Sequence, residues 1–135
     1  MAYRILVPVG GENERAEKQA EYVTRLPSSA EEISVTLVHA LTGSEKDVSA
    51  HMQQPDRSEA VRAAKRVLED AGIDVNTQGV SSPPAEGIVL LAKEGDFDEI
   101  VISGKKRSPT QKAILGSVTQ SVVLEAEIPV TVIST

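Results

Sequence analysis

Residues 100–124 hold the side chains with the clearest capacity for chemistry. This segment contains four basic residues and no acidic one, whereas the rest of the chain contains ten basic and 20 acidic residues. Three of the basic residues, Lys105, Lys106 and Arg107, are consecutive, and the segment leads to Gly116-Ser117 at the start of a predicted helix. A helix N-terminus offers unpaired N–H groups and a partial positive charge, to which lysine or arginine adds a full one. The pattern is therefore typical of a site that binds an anion.

The same residues also have a purely structural interpretation. Ser117 and Gln120 have the spacing of a capping box, in which a serine side chain caps the helix. Ser108-Pro109 with Gln111 has the pattern of another, shorter helix start. The basic side chains would then be solvated and would offset the acidic surface. Local chemistry leaves both anion binding and simple capping open.

Catalytic chemistry finds little support in the sequence. The chain has no cysteine, which excludes disulfides, thiolate metal sites and cysteine nucleophiles. Its two histidines, His39 and His51, lack a metal-ligand spacing, and no nucleophile stands in a recognisable pattern with either of them. We therefore predict no catalytic residue and no metal site, and a binding protein rather than an enzyme.

Net charge and composition narrow the range of partners. The formal net charge is −6, and only two tyrosines and one phenylalanine are aromatic, so a nucleic-acid surface is not expected. No apolar run approaches the roughly 20 residues that cross a bilayer, and the N-terminal run is too short for a signal peptide. We expect a cytoplasmic protein without nucleic-acid or membrane partners, folded as a single domain over residues 1–135.

The elements that must position the basic segment alternate between strands and helices. Short runs rich in valine and isoleucine predict buried strands at residues 3–9, 33–41, 99–103 and 129–134, with a weaker candidate at 73–75. Four amphipathic stretches between them predict helices. This alternation predicts an α/β fold with a mainly parallel sheet and helices on both faces.

Two features of the second helical stretch predict where it begins and ends. Asp56 with Glu59 has the spacing of a capping box, and Gly72 stands where a C-terminal glycine belongs. The link before it, at residues 42–55, is longer than ordinary connections, so we expect it to be either mobile or a lid.

Five segments, taken in order and spacing, resemble the universal stress protein family over essentially the whole chain. They are Ile5-Leu6-Val7-Pro8-Val9, Val35-Thr36-Leu37-Val38-His39, Glu99-Ile100-Val101-Ile102-Ser103, Leu115-Gly116-Ser117-Val118-Thr119 and Ile128-Pro129-Val130-Thr131-Val132. The resemblance implies a doubly wound, Rossmann-like fold of the adenine-nucleotide alpha-hydrolase type, with five parallel strands in the order 3-2-1-4-5. It also implies a small cytoplasmic domain that acts in a stress response.

Members of that family that bind ATP resemble one another in a loop of the form Gly-x2-Gly-x9-Gly-Ser/Thr and in an Asp after the first strand. Here Gly116-Ser117 matches the end of the loop, but Ser103 and Lys106 stand at the two earlier glycine positions and Gly10 at the Asp position. Gly10 has no side chain to accept a hydrogen bond from a ribose or base. Gly104 offers backbone freedom at a shifted position.

The resemblance implies a nucleotide site whose residues come from three parts of the chain. It implies phosphates at Gly116 and Ser117 and a base or ribose beside the first strand. The full set of expected nucleotide or anion contacts is Pro8, Val9, Gly10, Ser103, Gly104, Lys105, Lys106, Arg107, Gly116 and Ser117. Lys106 and Arg107 would pair directly with phosphate.

Three functions stay open on these residues. The first is a sensor of ATP or AMP, with Mg²⁺ present only if ATP binds. The second is a nucleotide-free dimeric scaffold for a protein partner that the sequence does not identify. The third is a weak ATPase or phosphotransferase.

The last predicted strand, at residues 129–134, is expected at an edge of the sheet, and bare strand edges pair with other strands. The resemblance implies that this strand pairs with its copy in a second subunit. The predicted contacts of this homodimer are Val130, Val132 and Ile133.

Overall fold

The computed structural model describes residues 2–39, 58–80, 83–104 and 115–134. Within these ranges, parallel strands form one sheet. They are β1 (Tyr3–Val9), β2 (Ile33–His39), β3 (Asp74–Gly79), β4 (Glu99–Gly104) and β5 (Val130–Ser134). Their order across the sheet is β3-β2-β1-β4-β5. The predicted order 3-2-1-4-5 is confirmed, and β1 lies at the centre.

Helices cover both faces of this sheet. They are α1 (Asn13–Thr24), α2 (Glu59–Asp70), α3 (Pro84–Glu94) and α4 (Ser117–Glu125). Helices α1 and α2 bury one core, and α3 and α4 bury a second. In β1, Ile5 and Val7 belong to the first core and Leu6 to the second, because successive side chains of a strand point to opposite faces. This double burial explains why the β1 sequence is apolar without alternation.

Strand β3 is longer than the sequence predicted. The prediction rested on residues 73–75, whereas the strand runs to Gly79 through the polar residues Asn76, Thr77 and Gln78. It pairs with β2 from Ser34↔Asp74 to His39↔Gly79 at an edge of the sheet. A strand at the edge keeps much of its surface in water, so it lacks the continuous apolar run that marks a buried strand.

The ends of α2 correct one prediction and confirm another. Ser58 is the N-cap, and its side chain accepts a hydrogen bond from Val61 N at 3.3 Å. The expected cap, Asp56, lies outside the described residues, and the capping prediction was wrong by two positions. Gly72 follows the helix with φ of +80°, and Ile73 N donates to Leu68 O at 3.1 Å, which is the Schellman ending that glycine favours.

The carboxylate of Glu99, at the start of β4, is 6% exposed and is surrounded by hydroxyl groups. Oε1 accepts a hydrogen bond from the Tyr3 hydroxyl at 2.8 Å, and Oε2 accepts from Thr131 Oγ1 at 2.6 Å and from the Tyr22 hydroxyl at 3.4 Å. These bonds connect β4 to β1, β5 and α1. They satisfy a buried carboxylate that would otherwise be costly.

This cluster predicts an unusual alkaline titration. Burial, followed by the hydrogen bond and charge of Glu99, raises the pKa of Tyr3 from 10.0 to about 12. Since the unfolded tyrosine ionises first, stability should fall as the pH rises from about 10 to about 12. Because Tyr3 is 37% exposed, water damps the size of this loss.

Phenolate absorbance measures the titration directly. The chain has two tyrosines, so Tyr22→Phe leaves Tyr3 as the only signal. Adding Glu99→Gln should lower the pKa of Tyr3 part of the way toward 10, because the negative charge is removed while the burial stays. An unchanged pKa in that variant would contradict the role assigned to Glu99.

The predicted link at residues 42–55, which includes His51, lies outside the described residues. Within the four ranges that the structure covers, no helix is both long and apolar enough to cross a membrane.

Candidate functional site at the carboxyl ends of β1 and β4

A cavity of about 310 Å³ opens at the carboxyl ends of β1 and β4, beyond the last residues at which the two strands pair. The two strands pair at Ile5↔Glu99 and Leu6↔Ile100 only, near their beginnings. The chain continues from β1 toward one edge of the sheet and from β4 toward the other, so this is the point where strand order reverses and ligands bind in open α/β sheets. The described lining consists of Pro8, Gly10, Gly11, Glu12, Arg15, Ile102, Ser103, Gly116, Ser117, Val118 and Thr119.

Two helix N-termini face this cavity. Glu12 is the N-cap of α1 and Gly116 is the N-cap of α4, and both residues line it. Neither cap residue makes a side-chain hydrogen bond to its helix. Each helix therefore presents the N–H groups of its first turn, together with the positive end of its dipole, to the same space.

The predicted capping box at Ser117 is wrong. Gly116 occupies the cap position with φ of −64° and ψ of 161°, and Ser117 is the first residue of the helix proper. The Ser117 side chain therefore does not cap α4, and the residue belongs to the cavity lining. This placement removes the structural alternative for Ser117 that local sequence chemistry had left open.

Gln19 connects β1 to β4 through Pro8, which lines the cavity, although the sequence did not single it out. Its side chain is 0% exposed, and Nε2 donates to Pro8 O at 2.7 Å and to Val101 O at 3.1 Å. Both partners are acceptors, so the amide nitrogen must face them. The side chain thus bridges the two strands after their own pairing has ended.

Thr119 connects α4 to the same strand ends. Its Oγ1 donates to Ser103 O at 2.9 Å, and the residue is 6% exposed. Because Thr119 lies in the first turn of α4, this bond fixes the helix N-terminus relative to the end of β4.

Glu12 and Arg15 supply the charges of the described lining. Arg15 Nε lies 3.1 Å from Glu12 Oε2, with side-chain exposures of 26% and 64% respectively. The pair makes this part of the cavity neutral, so the local field comes from the two helix N-termini. Glu12 is the only carboxylate in that lining, and no group of three or more His, Asp or Glu side chains among the described residues could hold a metal ion.

The structure brings five of the ten predicted contacts to the cavity. Pro8, Gly10, Ser103, Gly116 and Ser117 all line it. The three consecutive basic residues, Lys105, Lys106 and Arg107, lie outside the described residues.

The other two predicted contacts are buried in the protein. Val9 is 0% exposed in the core beneath α1 and α2. A Cβ on Gly104 would lie 2.8 Å from Val132 Cγ1 and 3.3 Å from Leu115 Cδ2. The missing side chain of Gly104 therefore allows β5 to pack closely, rather than opening space for a ligand.

Gly10 has the opposite environment. A Cβ at this position would meet no atom within 4 Å among the described residues. Among the described residues, packing therefore does not require a glycine at position 10, where the family resemblance led us to expect an aspartate.

Comparison with known proteins identifies chains similar to this one. The model of the universal stress protein family matches residues 1–134. The universal stress protein MJ0531 of Methanocaldococcus jannaschii is 26% identical over 87 residues, which cover 64% of this chain and 51% of that protein. The chain spans about half the length of the curated relatives it matches.

Solved structures are similar over almost the whole chain. A universal stress protein from Archaeoglobus fulgidus is 29% identical, with 98% of each chain covered and a TM-score of 0.74. A universal stress protein from the same organism, solved in complex with dAMP, is 24% identical, with 98% of each chain covered and a TM-score of 0.67.

Proposed function

Because the chain belongs to the universal stress protein family, we propose that it binds an adenine nucleotide in the cavity between β1 and β4. In this proposal the protein is a small dimeric binding or signalling module of a stress response. Nucleotide occupancy, with ATP or AMP, would change its affinity for a partner. The phosphates would lie at Gly116 and Ser117, with Pro8 and Gly10 beside the ribose or base.

One observation carries this proposal: two helices without side-chain caps direct their N-termini into one cavity at the switch point of the sheet. Such an arrangement favours an anionic group, since N–H donors and helix dipoles act together on it. The dAMP complex of the Archaeoglobus fulgidus relative supports a nucleotide as the source of the anion. Ser103, Ser117 and Thr119 add polar side chains to the same lining.

Binding without efficient turnover is the activity that this lining supports best. The described lining contains one carboxylate, one guanidinium and hydroxyl groups, and no histidine or lysine. Glu12 is already paired with Arg15. No acid, base and nucleophile converge within this described set, so we do not propose hydrolysis as the main function. If ATP binds with Mg²⁺, the cation would be held mainly by the phosphates, which is the usual arrangement for this ion.

Isothermal calorimetry with AMP and ATP, with and without Mg²⁺ and at two salt concentrations, tests the proposal. We expect saturable binding that weakens with salt, because phosphate recognition is electrostatic. Gly10→Asp should strengthen binding, because its side chain has open space and would offer acceptors to the ribose or base. If neither the unmodified chain nor the Gly10→Asp variant gives heat at millimolar nucleotide, the result would favour the nucleotide-free scaffold instead.

We also propose that β5 joins two copies of the chain. Ile100 N donates to Pro129 O at 2.9 Å, and the register of β4 and β5 starts at Ile100↔Val130. In a parallel ladder alternate residues bond to the same neighbour, so the backbone groups of Val130 and Val132 point away from β4. This row of outward groups at the sheet edge is suited to pairing with a second β5.

Sedimentation equilibrium tests this dimer. We expect a mass of twice 14.4 kDa for the unmodified chain, and a shift toward the monomer for Val132→Pro, which removes one outward N–H. Val132→Ala is the matched control, because it trims the same side chain and keeps that N–H. A monomer at all concentrations of the unmodified chain would overturn the proposal.

A further inference from the structure

The ion pair between Glu12 and Arg15 in the cavity lining has an unusual arrangement. Arg15 is the third residue of α1, and it lies in the first turn, where the positive end of the helix dipole disfavours a cation. A common pattern places serine or threonine at the N-cap and glutamate at this third position. Here an acid is at the cap and a base is in the helix, and the acid makes no cap hydrogen bond.

Helix stability alone gives little reason for this arrangement. Glu12 is 64% exposed on its side chain, and ion pairs at such exposure contribute little to folding. An arginine in the first turn therefore works against the helix while its partner returns only a small stabilisation. Residues that break a local rule without a structural gain are expected at functional sites.

The position of the pair suggests what the gain is. Glu12 and Arg15 both line the cavity, and the Arg15 side chain is 26% exposed, so its guanidinium is accessible to an anion that enters this space. The exposed carboxylate of Glu12 can turn into water at small cost. A phosphate group is a stronger partner for guanidinium, because it accepts two parallel N–H bonds as a carboxylate can and carries more charge than the Glu12 carboxylate.

We propose that Arg15 is a phosphate-binding residue that Glu12 holds in place until a ligand arrives, and that this exchange selects phosphorylated nucleotides over nucleosides. The inference rests on the proposed nucleotide site and adds its specificity determinant. In the free protein Glu12 neutralises Arg15. When the ligand is bound, its phosphate takes over Arg15, and Glu12 acts as an internal competitor that lowers the affinity.

This exchange predicts opposite effects for the two members of the pair. Arg15→Gln should weaken AMP binding about tenfold, the size expected for one charge-assisted contact, and should leave adenosine binding unchanged. Glu12→Gln should strengthen AMP binding by about threefold, because the competitor is gone. If the pair only stabilised the helix, both substitutions would break the same contact and would change the AMP affinity in the same direction.

Calorimetry with AMP and with adenosine tests the inference on the full chain. The matched controls are Lys18→Gln and Glu17→Gln, which make the same charge changes on exposed positions of α1 that do not line the cavity. Thermal unfolding followed by circular dichroism checks that each variant is folded. The expected result is a loss for Arg15→Gln and a gain for Glu12→Gln, each relative to its control and confined to AMP.

The failures of the two proposals are distinguishable. If AMP binds the unmodified chain but Arg15→Gln behaves as Lys18→Gln does, the exchange is overturned and the nucleotide site stands. Equal losses for AMP and adenosine would also overturn it, because Arg15 would then not contact the phosphate. If the unmodified chain binds no AMP, the proposed function fails and the exchange fails with it.

Discussion

Gln19→Leu is expected to lower the free energy of unfolding by about 2 kcal/mol, although leucine is apolar, is similar in size and removes the buried Oε1, which has no hydrogen-bond partner among the described residues. The substitution removes both hydrogen bonds from Nε2 and leaves the carbonyl oxygens of Pro8 and Val101 without this donor. A buried polar group that loses its partner costs about 1–3 kcal/mol. The side chain is 0% exposed, so water does not readily replace the amide.

Denaturant unfolding followed by circular dichroism measures this loss. Gln120→Leu is the matched control, because Gln120 is an exposed glutamine on α4 and its replacement should change stability by less than about 0.5 kcal/mol. Gln19→Glu supplies a second test. It keeps the shape of the side chain but replaces the donating amide by a carboxylate, whose oxygens would face the carbonyl oxygens of Pro8 and Val101. A Gln19→Leu protein as stable as the control would mean that the bridge between β1 and β4 contributes little.

Differences in burial between the strands explain which parts of the fold the sequence predicted well. Most residues of β1, β2 and β4 are buried, and those that pack into the two cores are apolar, so the runs were easy to find. Strand β3 lies at an edge and is built from Asn76, Thr77 and Gln78, which carry no such signal. Alternation along the chain was then sufficient to predict a parallel, doubly covered sheet.

The site was partly predictable for the same kind of reason. Gly116-Ser117 marks a helix start locally, and the carboxyl end of a parallel strand precedes it along the chain. Gln19 also left a signal, since it stands three residues after Ala16 and four before Val23 on the buried side of α1. Its partners were not predictable, because Pro8 and Val101 lie beyond the last paired residues of β1 and β4, and only the folded sheet brings both within reach of the Gln19 amide.

The charge pair shows a different limit of sequence reasoning. Glu12 and Arg15 have the i, i+3 spacing of an ordinary surface ion pair on a helix. The sequence contains 20 acidic residues, and Glu12 does not stand out among them. Only the position of the α1 N-terminus at the cavity distinguishes this pair. The most conspicuous basic residues of the sequence were therefore not the only candidates for phosphate binding.

Ser117→Pro is expected to weaken AMP binding by at least about tenfold while the protein stays folded. Proline lacks the N–H that the first residue of α4 would offer to a phosphate, and a hydrogen bond to a charged group contributes about 1.5–3 kcal/mol. Proline is nevertheless favoured at the first position of a helix, where this N–H has no partner within the helix. Binding and folding should therefore separate in this variant.

The backbone around Ser117 is already suited to proline. The residue before a proline must be extended, and Gly116 has φ of −64° and ψ of 161°. Helix α3 begins with Pro84 after Pro83, whose φ of −70° and ψ of 151° are nearly the same. The fold thus contains a working example of the local structure that Ser117→Pro would create.

Ser117→Ala separates the two groups that a phosphate could use at this position. It removes the hydroxyl and keeps the N–H, so it should retain more of the AMP affinity than Ser117→Pro does. Equal losses in the two variants would assign the contact to the hydroxyl. A folded Ser117→Pro protein that binds AMP as tightly as the unmodified chain would mean that the phosphate does not use the first N–H of α4. In that case Asn13→Pro becomes the decisive variant, because Glu12 is also extended and α1 offers the other N-terminus of the cavity.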